Sequence, residues 1–406
     1  MRVSAPGQPH LGYCTNIHPG ETWPEVRAVL ERFVPRVKAA LSPAVPFRVG
    51  LRLSARASEQ LAAPGEMEAL AELLSARGLY LFTINGFPYG TFHAAPVKEE
   101  VYRPDWLEEE RLVYSLRLAS QLAALLPEGV DGTVSTVPGA YKPRLGDGAE
   151  ADIADRMIRL AAALDGLRAR TGKTVALAIE PEPCCQLETV DETVRFFEER
   201  LLSAPARQRL ATLGGTSASA AEEILRRHLT VCFDACHMAV EFEDVSGALG
   251  AFERAGISIG KFQISAGLEV PADLPAAEAV HALRRFADDV YLHQVVERGP
   301  RELRRWSDLP EALEQGARGN RLAGTWRVHF HVPLFRERLG SFNSTQAYLA
   351  ELLGVLAKRP VSAQLEVETY TWDVLPEEFR REETTDAIAR ELRWVMDRFA
   401  DQQGHG

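Results

Sequence analysis

Short apolar runs alternate along this chain with longer stretches in which apolar residues recur every three or four positions. The runs Leu11–Ile17, Phe47–Leu53, Leu79–Ile84, Thr133–Val137, Val175–Glu180, Thr230–Asp234, Ile259–Ile264, Trp326–His331 and Ala363–Glu368 predict strands. Between the first two, Val26, Val29, Leu30, Phe33, Val34 and Val37 fall at helical spacing and predict a helix over Trp23–Leu41. Leu107–Leu126, Ile153–Leu167 and Val190–Leu202 show the same period. Strand followed by helix, repeated along a whole chain, means a mainly parallel sheet.

Nine strand candidates are one more than a closed eight-stranded barrel needs. An open doubly wound sheet competes with the barrel. Its nucleotide-binding forms lose support because no glycine-rich phosphate-binding turn follows any strand. The expected architecture is one (β/α)8 barrel over residues 1–401. Within it, residues 269–324, with Pro271, Pro275, Pro300 and Pro310, read as a helical insertion before the last strands. Residues 402–406 read as a frayed tail.

Composition adds exclusions. The chain has 406 residues, 46% hydrophobic and 25% charged, the mix of a globular protein. Lys+Arg 46 against Asp+Glu 57 gives −11, which argues against a nucleic-acid backbone as partner. No run approaches a membrane span and no secretory signal opens the chain, so a cytoplasmic protein is expected. Cys14, Cys184, Cys185, Cys232 and Cys236 form no CxxC pair, and reduced thiols fit better than a disulfide framework.

The candidate chemistry sits at strand ends. Glu180 ends one strand and Asp234 another, with His237 three residues on. His329 and His331 share one strand face, as do Glu366 and Glu368, because strand side chains alternate. A carboxylate on an apolar strand is costly unless paired or metal-bound. In a barrel the C-terminal strand ends converge, so Glu180, Asp234, His331 and Glu366 would hold one divalent cation. Three carboxylates and an imidazole suit Mn²⁺, Mg²⁺, Co²⁺ or Zn²⁺ alike. Glu182 and Glu188 lie beyond their strand and read as solvated loop charges within reach of a substrate; Glu188 is taken as a substrate contact. His329 and Gln364 read as partners that orient the ligands from one layer deeper. Cys232 reads as a small barrel filler, and no base adjoins Cys184–Cys185 to make a nucleophile.

The series Glu180, Asp234-Ala-Cys-His237-Met, His329-Phe-His331 and Glu366 resembles the metal site of the xylose isomerase-like TIM barrels, which include sugar isomerases, ketose 3-epimerases and endonuclease IV. Over nearly the whole chain, five segments resemble the EboE family, called the metabolite traffic protein. They are Tyr13-Cys-Thr-Asn-Ile-His-Pro-Gly20, Val49-Gly-Leu-Arg-Leu-Ser54, Thr83-Ile-Asn-Gly-Phe-Pro-Tyr-Gly90, Val97-Lys98 with Val101-Tyr102, and Glu366-Val-Glu-Thr-Tyr-Thr-Trp372. That resemblance implies the barrel fold and a place in bacterial clusters that make or move a small metabolite. The epimerase resemblance implies that Glu180 and Glu366 move a proton and that His237 contacts substrate.

Two features depart from the epimerase pattern. The strand after the Asp-x-x-His strand, Lys261-Phe-Gln-Ile-Ser265, offers Gln263 where a histidine is expected. Either Gln263 takes the third ligand position and His331 is an addition, or the Gln263 strand is the extra one. The second is preferred, since an amide competes poorly with imidazole for a transition metal. The other departure is Glu368, which crowds the mouth that Glu366 should occupy.

Asn16 and His18, Asn85, Phe87, Tyr89 and His93, Tyr141 and Lys142, and Tyr370 and Trp372 follow strands and could line the mouth. Rings cover C–H faces and amides bond hydroxyls, so this set suits a polyol or sugar-like metabolite. Asn85, Tyr89 and Gln263 join His237 and Glu188 as expected substrate contacts. Three readings follow: a metal-dependent isomerase or epimerase-like enzyme, a metabolite carrier without turnover, and a phosphodiesterase of the endonuclease IV type. The acidic charge and the shortage of strand-end histidines count against the last.

Overall fold

The computed structural model describes residues 2–93, 97–318 and 322–403. Seven strands, β1 (His10–Cys14), β2 (Phe47–Arg52), β3 (Leu79–Asn85), β4 (Gly132–Thr136), β5 (Val175–Ile179), β6 (Leu229–Asp234) and β7 (Ile259–Ile264), run parallel in chain order. A closing strand, Gln364–Val367, joins β7 to β1 and completes a closed barrel. Nearly every strand residue is buried, which explains the continuous apolar runs: helices cover the outside and side chains fill the inside.

Local chemistry starts and stops the helices. The Thr22 side chain and Glu25 form a reciprocal capping box at the start of Trp23–Arg32. The expected single helix breaks at Phe33, and Pro35 opens a second one, Val34–Leu41, where a missing N–H costs nothing. Thr189 and Glu192 cap Val190–Phe196 in the same way. The last helix, Thr384–Gln403, takes in two residues of the expected tail; residues 404–406 lie outside the described residues.

The extra strand corrects the sequence reading. Ile259–Ile264 is a barrel strand, paired with β6 at Phe262↔Phe233 and with the closing strand at Phe262↔Leu365. Trp326 lies instead in Thr325–Val328, a strand of a separate six-stranded sheet. That sheet is built by antiparallel pairs from Leu268–Val270, Val295–Arg298, Leu303–Trp306, Thr325–Val328, Arg338–Leu339 and Phe342–Ser344. Two helices, Ala276–Leu283 and Leu309–Gly316, accompany it. The insertion is therefore a sheet with helices rather than a helical segment. It leaves the barrel after β7, at the C-terminal end where the strand tips converge. Among the described residues no helix is long and apolar enough to cross a membrane.

Candidate metal centre and pocket

Asp234 ends β6 and caps the short helix Ala235–Val240. Its Oδ1 accepts from the His237 backbone N–H at 2.8 Å and from Ser265 Oγ at 2.9 Å. Its Oδ2 is buried without a hydrogen-bond partner. His331 follows the insertion strand Thr325–Val328 and reaches the same place. Its Nδ1 lies 2.9 Å from the Glu368 carbonyl, an oxygen that can only accept, so Nδ1 carries the proton. Its Nε2 is buried, unprotonated and without a partner. Burial holds the His331 imidazole down at about 4, in its neutral form.

Glu180, Asp234 and Glu368 bring one carboxylate oxygen each within 4.8 Å of one another, and Asp234, His237 and His331 do the same with their ligand atoms. Burial raises the Glu180 carboxyl well above its usual range, with Glu368 and Asp234 adding to the effect. Burial, Asp234 and Glu366 push Glu368 to about 8. Asn16 Nδ2 donates to Glu368 Oε1 at 2.7 Å. Unpaired buried carboxylates with an orphaned lone pair beside them are expensive, and a divalent cation satisfies them together.

Glu366 is not in this group, contrary to expectation. It lies one layer deeper, ion-paired with Lys261 of β7, and Asn85 Nδ2 donates to both its oxygens at 3.1 Å. Burial alone would lower the Lys261 ammonium; Glu366 outweighs it and holds it above its ordinary value. Gly50 makes this possible: a Cβ there would stand 1.2 Å from Glu366 Oε1. Glu368, two residues on and on the same face, stands where Glu366 was expected.

The other expected site residues divide. Asn85 lines the cavity, but its side chain is already committed to Glu366, Lys261, Gln263 and Ser135. Gln263 is fully buried, donating to Asn85 Oδ1 at 3.1 Å, and is not among the residues that line the cavity. Tyr89 turns away, its ring edge-on to Tyr114 at 4.9 Å. Glu188 is buried outside the cavity lining, paired with Lys142 and accepting the Cys184 N–H at 2.7 Å. Gln364 lies deep on the barrel floor, bonded to Thr133 and to the Asp131 carbonyl. His18 stacks on Phe33 and Tyr141 on Tyr102. All five cysteines are free, and burial pushes the Cys184, Cys185, Cys232 and Cys236 thiols up, away from nucleophilic use.

Sequence reasoning placed Glu182 and His329 wrongly. Both are buried and line the cavity. Glu182 Oε1 accepts from Tyr102 Oη at 2.9 Å, and burial raises its carboxyl. The flanking Pro181 and Pro183 were the available signal, since they fix the turn that aims Glu182 inward. Phe92, Tyr291 and Tyr370 were not foreseen as a unit. Their rings meet at 5.0 to 5.3 Å over the site. The free volume beneath them is about 50 Å³. That holds an ion with a water or two. Around it stand Glu180, Glu182, Glu368, His237 and His329, and no lysine or arginine lines it among the described residues.

The closed eight-stranded parallel barrel is a TIM-barrel fold, with acids and imidazoles at its strand ends. An L-ribulose 3-epimerase structure has this fold, with a TM-score of 0.50 at 12% identity over 98% of this chain and 96% of its own. D-allulose 3-epimerase from Methylomonas sp., solved in complex with D-allulose, is similar with a TM-score of 0.48 at 12% identity, covering 98% and 100%. IolI protein with a binding zinc atom gives a TM-score of 0.45 at 11% identity, covering 97% and 98%. No family model matches the sequence, and no curated protein matches it.

Proposed function

We propose that the chain is a divalent-metal-dependent isomerase or epimerase acting on a small, uncharged, polyhydroxylated or carbonyl metabolite. The observation that carries this reading is the pair of orphaned buried atoms, Asp234 Oδ2 and His331 Nε2, beside the Glu180 and Glu368 carboxyls. Glu180, Asp234, Glu368 and His331 would hold the cation, and their oxygen-rich set favours Mn²⁺ or Mg²⁺, with Co²⁺ and Zn²⁺ also suited. When bound, the cation supplies polarisation of a ligand carbonyl or hydroxyl oxygen.

The chain's own residues do the rest. Glu180 and Glu368 both face the cavity, which suits one to take a proton and the other to return it. Asn16 orients Glu368 through Oε1 and leaves its other oxygen for the ligand. The absence of Lys and Arg from the described lining argues for an unphosphorylated ligand, because a phosphate needs cationic or N–H partners. Phe87, Phe92, Tyr291 and Tyr370 offer faces to its C–H groups. A sugar-sized ligand exceeds the present free volume, so entry parts the Phe92, Tyr291 and Tyr370 rings. The EboE-like segments, from Tyr13–Gly20 to Glu366–Trp372, support placing this activity in a cytoplasmic route that makes or moves a small metabolite.

The test is solvent deuterium exchange into ketoses and related polyols by the metal-loaded protein. Wild type incorporates deuterium at carbon, and Glu368→Gln slows this by roughly 10²–10⁴. A wild-type protein that binds a metabolite tightly and exchanges nothing is a carrier instead.

A further inference from the structure

The opposite end of the barrel carries a groove of a different chemistry. It opens at the N-terminal strand ends and encloses about 790 Å³, within the size range of small-ligand sites. The strand register builds it. Arg48 of β2 pairs with Tyr80 of β3 on one side and with Gly12 of β1 on the other, and His10 stands two residues before Gly12. The side chains of His10, Arg48 and Tyr80 all line the groove. The chain ahead of β1 folds back so that Arg2 pairs with His10 across an antiparallel bridge, which adds Arg2 to the lining. Arg2 Nη1 is steadied by Gln8 Oε1 at 3.2 Å.

Positive charge gathers here. Arg48 is 2% exposed, and its guanidinium lies 4.7 Å from the centroid of the Tyr80 ring. Burial, with Arg2 adding, lowers Arg48 to about 9. Burial, then Arg48 and Arg2, lowers His10 to about 3, so its imidazole is neutral near pH 7. The charges that weigh most on both groups are thus positive, and burying cations together is costly. His10 is buried as well, and its Nδ1 has no hydrogen-bond partner. Among the described lining residues the one carboxylate is Glu128, whose side chain is fully exposed and accepts from Lys173 Nζ at 2.9 Å. An anion offsets the cost that Arg48 and Arg2 impose on each other. The rest of the lining is mainly apolar: Val45, Pro46, Leu79, Pro127 and Val130, with Val45 left 52% exposed.

We propose that the N-terminal mouth of the barrel binds a small amphipathic organic anion, with its carboxylate or phosphate held by Arg48, Arg2 and His10 and its apolar body lying on Val45, Pro46 and Val130. Guanidinium forks suit either head group. The site is separate from the metal centre and does not depend on it. Along the closing strand Gln364 is level with His10 and Glu366 with Gly12, so the Lys261–Glu366 pair stands between the groove and Glu368. An anion on the two guanidiniums also offsets their effect on His10. Binding therefore raises the His10 imidazole from its low value and favours its proton.

The experiment titrates the full chain with phenyl phosphate, benzoate and inorganic phosphate, in chelator so that no metal at the other mouth captures the anion. Calorimetry reads affinity, and NMR follows the His10 imidazole, assigned by its loss in His10→Gln. Wild type is expected to bind phenyl phosphate or benzoate more tightly than inorganic phosphate, with the His10 titration moving upward; the tighter of the two organic probes identifies the head group. Arg2→Ala alters an exposed side chain and should weaken binding roughly 10-fold or more. Val45→Asp should weaken it through like-charge repulsion, and Arg48→Gln most of all. Should Arg48→Gln not fold, Arg2→Ala and Val45→Asp decide. Equal affinity for inorganic phosphate makes this a bare-anion site and overturns the amphipathic ligand. Absence of binding at millimolar probe overturns the proposal, as does binding that leaves the His10 signal still or that Arg2→Ala and Val45→Asp both leave unchanged.

Discussion

Glu366 and Glu368 are the same residue type, two positions apart on one strand face, and the fold uses them in opposite ways. Glu366 is fully satisfied: Lys261 neutralises it and Asn85 bonds both oxygens. Glu368 has one amide on Oε1, and its near neighbours Glu180 and Asp234 are carboxylates. The first is a structural ion pair in the barrel floor. The second is a carboxyl without a cationic partner at the mouth, where His331 and Asp234 also present unpaired atoms. What marks the site is thus not burial or residue type but a set of buried groups without partners, which a cation could satisfy.

That contrast can be broken from either side. Lys261→Met removes the only ammonium beside Glu366 among the described contacts and leaves a buried charge unpaired. Stability should fall by ~3–5 kcal/mol in chemical denaturation, and Lys261→Met with Glu366→Gln should regain most of it. A single mutant as stable as wild type would mean that Glu366 is not held by charge. At the mouth the sign reverses. Glu368→Gln should not destabilise the metal-free protein, since it removes a carboxylate repelled by Asp234 and Glu366. Unfolding curves in chelator are the check, and a large loss would place Glu368 with the structural acids.

Gly50→Ala sharpens the picture of the floor. The new Cβ would overlap Glu366 Oε1, so the ion pair must shift, at a cost of ~1–3 kcal/mol. A neutral effect on thermal unfolding would show that Glu366 has room to spare. A subtler, pH-dependent effect concerns a third buried acid, Glu391. It accepts the Leu334 N–H at 3.0 Å and the Thr369 hydroxyl at 2.8 Å, and burial pushes it up to about 7. Its folded value lies above its unfolded one, so its stabilising contribution is complete below about pH 4.5 and is lost as pH rises through about 7. Glu391→Gln keeps an acceptor and removes the titration. The decline of wild-type stability from pH 5 to 8 should flatten by on the order of 2 kcal/mol in the mutant.

Much of this was legible in the chain. Strand and helix alternation announced the barrel, and strand-end acids announced Glu180 and Asp234. The misses have physical causes. Period-2 alternation tells which face Glu366 and Glu368 share, but not their depth. Depth depends on the register that sets Glu366 opposite Gln263 on β7, two residues from Lys261, and neither strand alone reveals it. The run Trp326–His331 looks like any buried strand, because a strand in an insertion sheet is as apolar as one in a barrel. The preference for imidazole over amide weighed ligand chemistry and took the Gln263 strand for the extra one. It failed for topology, since His331 reaches the site from outside the barrel. Tyr291 gave no local signal, as it lies in a segment that only the folded sheet carries to the mouth.

The most direct test of the proposed cation site is a crystal structure of the full chain grown with Mn²⁺, read at an energy where the ion scatters anomalously. The account predicts a peak between Asp234 Oδ2 and His331 Nε2, with Glu180 and Glu368 as its other ligands and the Lys261–Glu366 pair undisturbed beneath it. A pocket without a peak, or an ion bound to Glu366 in place of Glu368, would contradict it.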